Sequence, residues 1–318
     1  MQNSPNPATG HDYGTVAILM AVRNGARFLG AQLDSIARQS VPRIDLWISD
    51  DGSNDTTRDI IAETARHWDK GTLTLFDGPQ RGFAENFRSL LVRDEIDADF
   101  YAFSDQDDSW DEDKLAHALV WLERQANDRP ALYCSRTRIM TEDGVAAGLS
   151  PLFAQPPSFR NALVQSIAGA NTMVMNRAAR DLVATASRRS GFVSHDWWCY
   201  LLVAGAGGVV HYSAEPRIGY RQHGANLVGE SDTWRARLSR MCFLFKGRFK
   251  EWNDLNLAGL RINADLLTED ARQTIATFER SRHGSLPTRL AALHRAGVYR
   301  QTRLGAIGLV VACAARRL

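Results

Sequence analysis

Short apolar runs alternate with helix-spaced stretches through the first hundred residues, and this alternation leaves few folds open. Residues 15–20 are continuously apolar, as in a strand buried on both faces. Phe28, Leu29, Leu33, Ile36 and Ala37 then recur at helical spacing. Residues 44–49, 72–76 and 99–104 read as further strands, with helices over 56–68 and 84–92 between them. Ser53, Asn54 and Asp55 are all available to cap the first of these two helices. Such alternation predicts an α/β fold with a mostly parallel sheet flanked by helices. Ligands of such sheets bind beyond the carboxyl ends of the strands.

Three polar clusters fall at those ends. Arg23-Asn24-Gly25 follows the first strand, residues 50–55 (Asp-Asp-Gly-Ser-Asn-Asp) follow the second, and Asp105-Gln106-Asp107-Asp108 follows the fourth. A turn of Asp, Gly and Ser after a strand also serves as a plain capping loop. Four acidic residues packed into 105–111 are harder to place in that way. Like charges this close raise one another's pKa unless a cation lies among them. Two carboxylates one residue apart can share a divalent ion, and magnesium or manganese held so keeps positions open for substrate phosphates. The other reading is a solvated acidic loop that caps a helix starting near Asp113.

Beyond Pro130 the pattern mixes. Residues 131–134, 172–175 and 209–212 read as strands, and 159–167 and 196–204 as helices. From Ser231 onward the chain reads as helical and basic. The 318 residues allow one large domain or one domain with a helical appendage, and 44% hydrophobic content suffices for a full core. A net charge of +2 does not mark nucleic acid as a partner, and no groove-reading motif or stacking platform accompanies the basic C-terminal third. Cys134, Cys199, Cys242 and Cys313 are far apart and form no Cys-x-x-Cys pair, so reduced core thiols are expected rather than zinc or disulfides. Residues 1–14 form a flexible polar start without a signal-peptide pattern, and no apolar run is long enough to span a bilayer. A cytoplasmic protein is expected.

In their order and spacing, Val22-Arg23-Asn24-Gly25, the Ser49–Thr57 block and Ser104-Asp105-Gln106-Asp107-Asp108 resemble glycosyltransferase family 2. The resemblance runs over about 15–229 and implies the GT-A fold. It also implies inversion at the anomeric carbon, a nucleoside-diphosphate sugar donor and Mn2+ or Mg2+. Gln80-Arg81-Gly82-Phe83-Ala84-Glu85-Asn86-Phe87, His195-Asp196-Trp197-Trp198 and Tyr220-Arg221-Gln222-His223-Gly224-Ala225-Asn226 are most similar to rhamnosyltransferase-type members of bacterial surface-polysaccharide assembly. Arg81 and Ala225 depart from the usual forms of these blocks.

Position by position, the resemblance makes Asp51 the carboxylate that reads the pyrimidine edge. Ala21, Arg23, Asn24 and Asn86 would also line the nucleotide, with Asp105 near the ribose. Asp107 would hold the metal directly, with Asp108 as an overlapping candidate, and His223 would join the metal or the diphosphate. Asp196 is the expected general base, though its place also suits an N-cap or first-turn acid. His195 could orient it. Asp108, Gly169, Asn171, Trp197 and Trp198 are candidates around the sugars, with a core role expected for at least one tryptophan. The donor class is dTDP- or UDP-linked, with a rhamnose-type deoxysugar favoured, and the acceptor a glycan or polyprenyl-lipid-linked glycan.

Arg235, Arg237, Arg240, Lys246, Arg248 and Lys250 interleave with Met241, Phe243, Leu244, Phe245, Phe249 and Trp252, and residues 304–315 are apolar before Arg316-Arg317. This suits a peripheral helix on the cell membrane or a helical cap on the catalytic domain. The expected division is 1–14, a GT-A domain over 15–230, and a basic helical region over 231–318. A nucleotidyltransferase is the first competing class, but Arg23-Asn24-Gly25 is a poor match to its glycine-rich phosphate loop. The second is a non-catalytic carbohydrate-binding relative, against which the joint presence of Asp107, Asp196 and His223 argues.

Overall fold

The computed structural model describes His11 and residues 13–223 and 248–318. The alternating local pattern of the first hundred residues is realised as β1 (Val16–Val22), α1 (Leu29–Ala37), β2 (Ile44–Asp50), α2 (Thr57–His67), β3 (Leu73–Asp77), α3 (Phe83–Leu91) and β4 (Phe100–Ser104). There follow β5 (Ser109–Trp110), α4 (Lys114–Leu122), β6 (Ala131–Ser135), β7 (Arg138–Met140), β8 (Ala146–Leu149) and α5 (Phe159–Ala162). After these come β9 (Val174–Asn176), α6 (Arg177–Arg189), α7 (His195–Gly205), β10 (Val209–Ser213) and β11 (Ile218–Arg221). Beyond residue 247 the chain is helical: α8 (Arg248–Ile262), α9 (Glu269–Arg280), α10 (Leu286–Ala296) and α11 (Arg303–Ala314).

Seven strands form the main sheet in the order β10-β6-β9-β4-β1-β2-β3. All neighbours are parallel except β9, which runs antiparallel to both β4 and β6. The continuous apolar run of β1 has the expected cause, because both of its faces are covered. Val16, Ile18 and Met20 enter one core with Leu29, Leu33 and Ile36, while Ala17 and Leu19 enter the other with Phe87, Leu90 and Leu91. Each fully buried aliphatic side chain contributes about 1.5–3 kcal/mol.

A second sheet, ordered β5-β11-β7-β8, has no counterpart in the sequence reading. Its strands are two to four residues long, too short for a period-two pattern to register. The helix expected over 159–167 stops at Ala162. Asn161 Nδ2 donates to Tyr299 O (2.9 Å) and Gln165 Oε1 accepts from Gln301 N (2.9 Å). Contacts with the far end of the chain decide this segment over its local pattern. The strand expected over 172–175 begins instead as a 3-10 turn (Ala170–Thr172) ahead of β9.

The C-terminal helices pack onto the sheet's helical layer. Phe249, Leu257, Leu260, Phe278, Leu293 and Leu309 share one core with α6 and α7. The basic and aromatic residues 235–246 lie outside the described residues, as do most of the N-terminal 14 and Cys242; Phe249 is buried in the cap and Trp252 is exposed. Cys134, Cys199 and Cys313 are buried free thiols, as expected. No described helix is long and apolar enough to cross a membrane.

The seat of α8 is set by a glycine. A Cβ on Gly259 would come within 2.8 Å of Trp198 Cη2 and 3.1 Å of Gly191 O. Trp198 is fully buried with its Nε1 donating to Ser187 Oγ (3.2 Å), so it cannot yield. Helix propensity favours Ala over Gly by about 1 kcal/mol, whereas overpacking a tight core costs about 1–3 kcal/mol. Gly259→Ala is therefore expected to lower the melting temperature in differential scanning fluorimetry, with overpacking winning over propensity.

Candidate active site

The loops after β1, β2 and β4 are sewn together by the polar residues of their own motifs. Asn24 takes a positive φ of 48°, and its backbone N–H donates to Ser53 Oγ (2.8 Å) while its Oδ1 accepts from Asn54 N (2.9 Å). Gly25 N donates to Thr57 Oγ1 (2.8 Å), and Ala26 N to Asp55 Oδ2 (3.1 Å). Asp55 Oδ1 accepts from Thr57 N (3.0 Å), so of the three capping candidates Asp55 serves the start of α2. Ser53 N instead donates to Asp50 Oδ1 (3.0 Å), and Asp50 also pairs with Arg58 (3.0 Å). Gln106 holds the acidic loop to the β1 loop by two bonds, accepting from Arg23 N (2.8 Å) and donating to Arg23 O (3.1 Å). A Cβ at Gly25 would fall 2.5 Å from Gln106 Oε1, so glycine is what lets the two loops meet.

Asp51, 3% exposed, accepts from the backbone N–H of Gln80 (2.5 Å) and Gly82 (3.2 Å), and so shapes the 80–82 loop. Asn86 is joined to Ser49 through both amide atoms, accepting at 2.6 Å and donating at 2.9 Å. Ala21 is half-buried at the end of β1, and the Arg23 and Asn24 side chains are exposed beside it.

In the acidic loop the carboxylates are separated by role. Asp108 is fully buried; its Oδ2 accepts from Asn171 Nδ2 (2.6 Å) and its Oδ1 meets no hydrogen-bond donor among the described residues. Lys114 is buried as well, its Nζ 3.4 Å above the Trp110 ring. Burial lowers the Lys114 pKa to about 7, against the pull of Asp108. Burial, then the charges of Asp107 and Asp196, raise Asp105 to about 7. Burial, then Asp105 and Asp107, push Asp108 well above the carboxylate range. Asp107 points to the other side, where His223 Nε2 lies 2.8 Å from its Oδ2 across 116 residues of sequence. The second sheet makes this contact: β11 pairs with β5 (Ile218↔Trp110, Gly219↔Ser109), directly after the acidic loop, and runs on to His223. Arg221 Nε fixes the Asp107 carbonyl (3.0 Å), and Phe28 lies 5.0 Å from the His223 ring.

Against known proteins, residues 17–161 match the family model described as glycosyl transferase family 2. Over that stretch, a little under half of its length, the chain is similar to a family 2 glycosyltransferase domain. It is 25% identical over 235 residues to dTDP-rhamnosyl transferase RfbG of Shigella flexneri, spanning 70% of this chain and 78% of that protein. Among solved structures, S. aureus TarS superposes with a TM-score of 0.50 at 13% identity, covering 95% of this chain and 55% of that one, a likeness of fold. Mannosyltransferase PcManGT from Pyrobaculum calidifontis, solved with GDP-Man and Mn2+, covers 98% of this chain and 89% of its own at 17% identity and a TM-score of 0.49. The GT-A fold expected from the sequence is thus the observed one: a large central sheet flanked by helices.

Asp196 and His223 lie beyond the matched span of the family 2 domain, yet the fold returns both to its acidic loop. Asp196, in the first turn of α7, acts electrostatically on Asp105 and is 3.5 Å from Ser166 Oγ. Burial raises its pKa, opposed by hydrogen bonds from Ser194, from the backbone of Trp197 and from Ser166. Gly169 is exposed at the start of the 3-10 turn, two residues from the Asn171 that holds Asp108.

Three expectations at α7 change. His195 does not orient Asp196: its ring stacks on Phe87 (centroids 3.8 Å apart) with Phe103 and Phe83 edge-on, and neither nitrogen meets a partner among the described residues. Trp198 cannot stack on a sugar, being fully buried against Phe192. Trp197, 6% exposed, donates to Ala162 O and meets Trp252 edge-on, so it too belongs to the core. The apolar length of α7 drives both rings inward. Sequence reasoning quoted Gln106 and Arg221 within motifs without giving either a role, and it passed over Lys114 and Ser166. Gln106 and Lys114 carried a signal, each a polar residue set within or just after the acidic run.

Burial lowers the His195 pKa from 6.5 to about 3, so the ring is neutral in the fold and charges on unfolding. The unfolded chain binds the extra proton between these values, and stability is lost as pH falls through that window. His195→Leu removes both this proton linkage and two unmet buried nitrogens, a group whose burial costs about 1–3 kcal/mol. The variant is expected to melt higher than the parent, with the gap in melting temperature widening from pH 7 towards pH 5.

Proposed function

We propose that the chain is an inverting glycosyltransferase that moves a sugar from a nucleoside-diphosphate donor to an acceptor hydroxyl, with Asp196 as general base. The observation that carries this reading is the assembly of one basin from distant segments: His223 on Asp107, and Asp196 beside Asp105. Asp196 takes the proton as the acceptor oxygen bonds to the anomeric carbon. The bond from that carbon to the diphosphate oxygen breaks on the opposite face, and the nucleoside diphosphate leaves. A base with a raised pKa suits this task, because proton transfer is most effective when the pKa lies near the working pH.

The donor set fits a divalent cation. No three His, Cys, Asp or Glu side chains converge as a closed cage among the described residues. Mn2+ or Mg2+ needs no such cage when substrate phosphates complete its shell, and one carboxylate with a neighbouring imidazole leaves room for them. In this reading Asp107 and His223 hold the ion and Asp105 lies towards the ribose. Asp51 and the 80–82 loop it shapes line the base, with Ala21, Arg23 and Asn24 opposite. Asn86 acts from behind by fixing Ser49. An ion held by Asp107 and His223 would supply positive charge to the departing diphosphate. Asn171 positions Asp108, and Gly169 leaves space at the sugar.

Likeness to RfbG favours a dTDP-linked rhamnose-type donor, with UDP-linked hexoses next, and an acceptor on a surface glycan or its lipid-linked precursor in the cytoplasm. Residues 15–230 form the transferase domain in this reading, and 231–318 the basic helical region.

Asp196→Asn is expected to lower kcat by about 10²–10⁴-fold while nucleotide binding persists; unchanged turnover would remove the mechanism. In the parent, kcat/KM should fall as pH drops through the Asp196 pKa, with the acid limb raised above that of an ordinary aspartate, since the base must be ionised. In thermal-shift assays, dTDP or UDP should raise the melting temperature only with manganese present. Asp107→Ala and His223→Ala should each abolish that metal-dependent rise. A parent protein indifferent to every nucleoside diphosphate would sink the reading.

A further inference from the structure

Helix α11 is built inside out. Leu304, Ile307, Val310 and Val311 are 69, 61, 47 and 43% exposed, whereas Leu309, Ala312 and Cys313 pack inward. Between Leu304 and Ala315 the helix carries no charged or hydrogen-bonding side chain other than the buried Cys313, so its outward face is aliphatic along its length. A helix packed on a water-facing surface ordinarily sets polar residues on that face. Burial against the cap does not account for these residues, because a separate set already supplies it.

The charge around the face is as one-sided as its composition. Residues 280–318 contain eight arginines, two histidines and no Asp, Glu or Lys, in a chain whose net charge is only +2. Arg303 opens the helix and Arg316 and Arg317 follow it, all three exposed. Arg289 and Arg282 turn inward and hold the end of the chain, donating to Ala314 O (2.9 Å) and Leu318 O (3.0 Å). The neighbouring acid, Asp254, is paired with Arg282 and Lys250.

We propose that this face of α11 docks on an anionic lipid surface, the helix lying in the headgroup plane with its aliphatic side chains below and the arginines on lipid phosphates. Its 12 residues span about 18 Å, too short to cross a bilayer but enough to lie along one. Juxtamembrane arginines gain from a negative surface in proportion to their number. A second copy of the chain fits less well, since pairing two such faces would set arginine against arginine around the seam. The proposal rests on α11 and its rim, and stands apart from the assignment of donor and base.

Flotation of the full chain with vesicles tests it, using phosphatidylcholine alone and with about one-third phosphatidylglycerol, at about 0.1 M salt. The parent is expected to float with the anionic vesicles and not with the neutral ones. Leu304→Ser/Ile307→Ser/Val311→Ser should lower partitioning roughly tenfold or more, and Arg303→Gln/Arg316→Gln/Arg317→Gln on the order of a hundredfold. Both variants should keep the parent's melting temperature, since they alter exposed positions. Asp196→Asn should float like the parent, which separates this proposal from the catalytic one. Equal flotation with neutral vesicles, absence from both, or full binding by the serine variant would overturn it. So would a parent dimer in gel filtration that the serine substitutions turn into a monomer.

Discussion

Four carboxylates, those of Asp105, Asp107, Asp108 and Asp196, are gathered at the ends of β4 and α7 against their own repulsion. Burial raises the pKa values of Asp105, Asp108 and Asp196, and for Asp105 and Asp108 the charges of neighbouring carboxylates add to it. The surrounding structure divides the charge into manageable parts. Asn171 and the buried Lys114 attend Asp108, His223 attends Asp107, and Ser166 and Ser194 attend Asp196. Gln106, the one neutral member of the run, spends both amide atoms on the backbone of Arg23 and so fixes where the acids point. Carboxylates this close raise one another's pKa unless a cation lies among them.

Much of what reads as a binding motif is first a fastening. Ser53, Asn54, Asp55 and Thr57 give their side chains or N–H groups to the β1 loop or to the start of α2. Asp51 and Asn86 likewise brace the 80–82 loop and β2. These bonds leave a rigid rim of backbone around the carboxyl ends of β1, β2 and β4, where parallel sheets bind ligands. Polar groups fixed in this way need no reordering when a ligand arrives.

The two-stranded contact between β5 and β11 has an influence out of proportion to its length. It converts a sequence separation of 116 residues into a 2.8 Å contact between Asp107 and His223. The C-terminal helices work from the opposite side. They close over α6 and α7, bury Trp197 and Trp198, and leave on α11 an aliphatic face rimmed by arginine.

Local pattern sufficed for the strands β1 to β4 and β10, for the helices between the first of them and for α7, because burial on two faces or on one stripe stamps a period on the residues. It also sufficed for the acidic run, since carboxylates so dense at a strand end have few uses. It did not reach the second sheet, the early end of α5 or the environment of His195. Each of these depends on contacts with residues far away in the chain, whose energies no local period records. Trp197 and Trp198 show the same limit from the other side: aromatic rings beside a candidate base suit a sugar as well as a core. Sequence alone therefore determined the first strands of the sheet, the polar loops at their carboxyl ends and the kind of charge placed there. Only tertiary structure decided which carboxylate met His223, which faced Asp196 and which rings were buried, because those choices are made by packing across the whole chain.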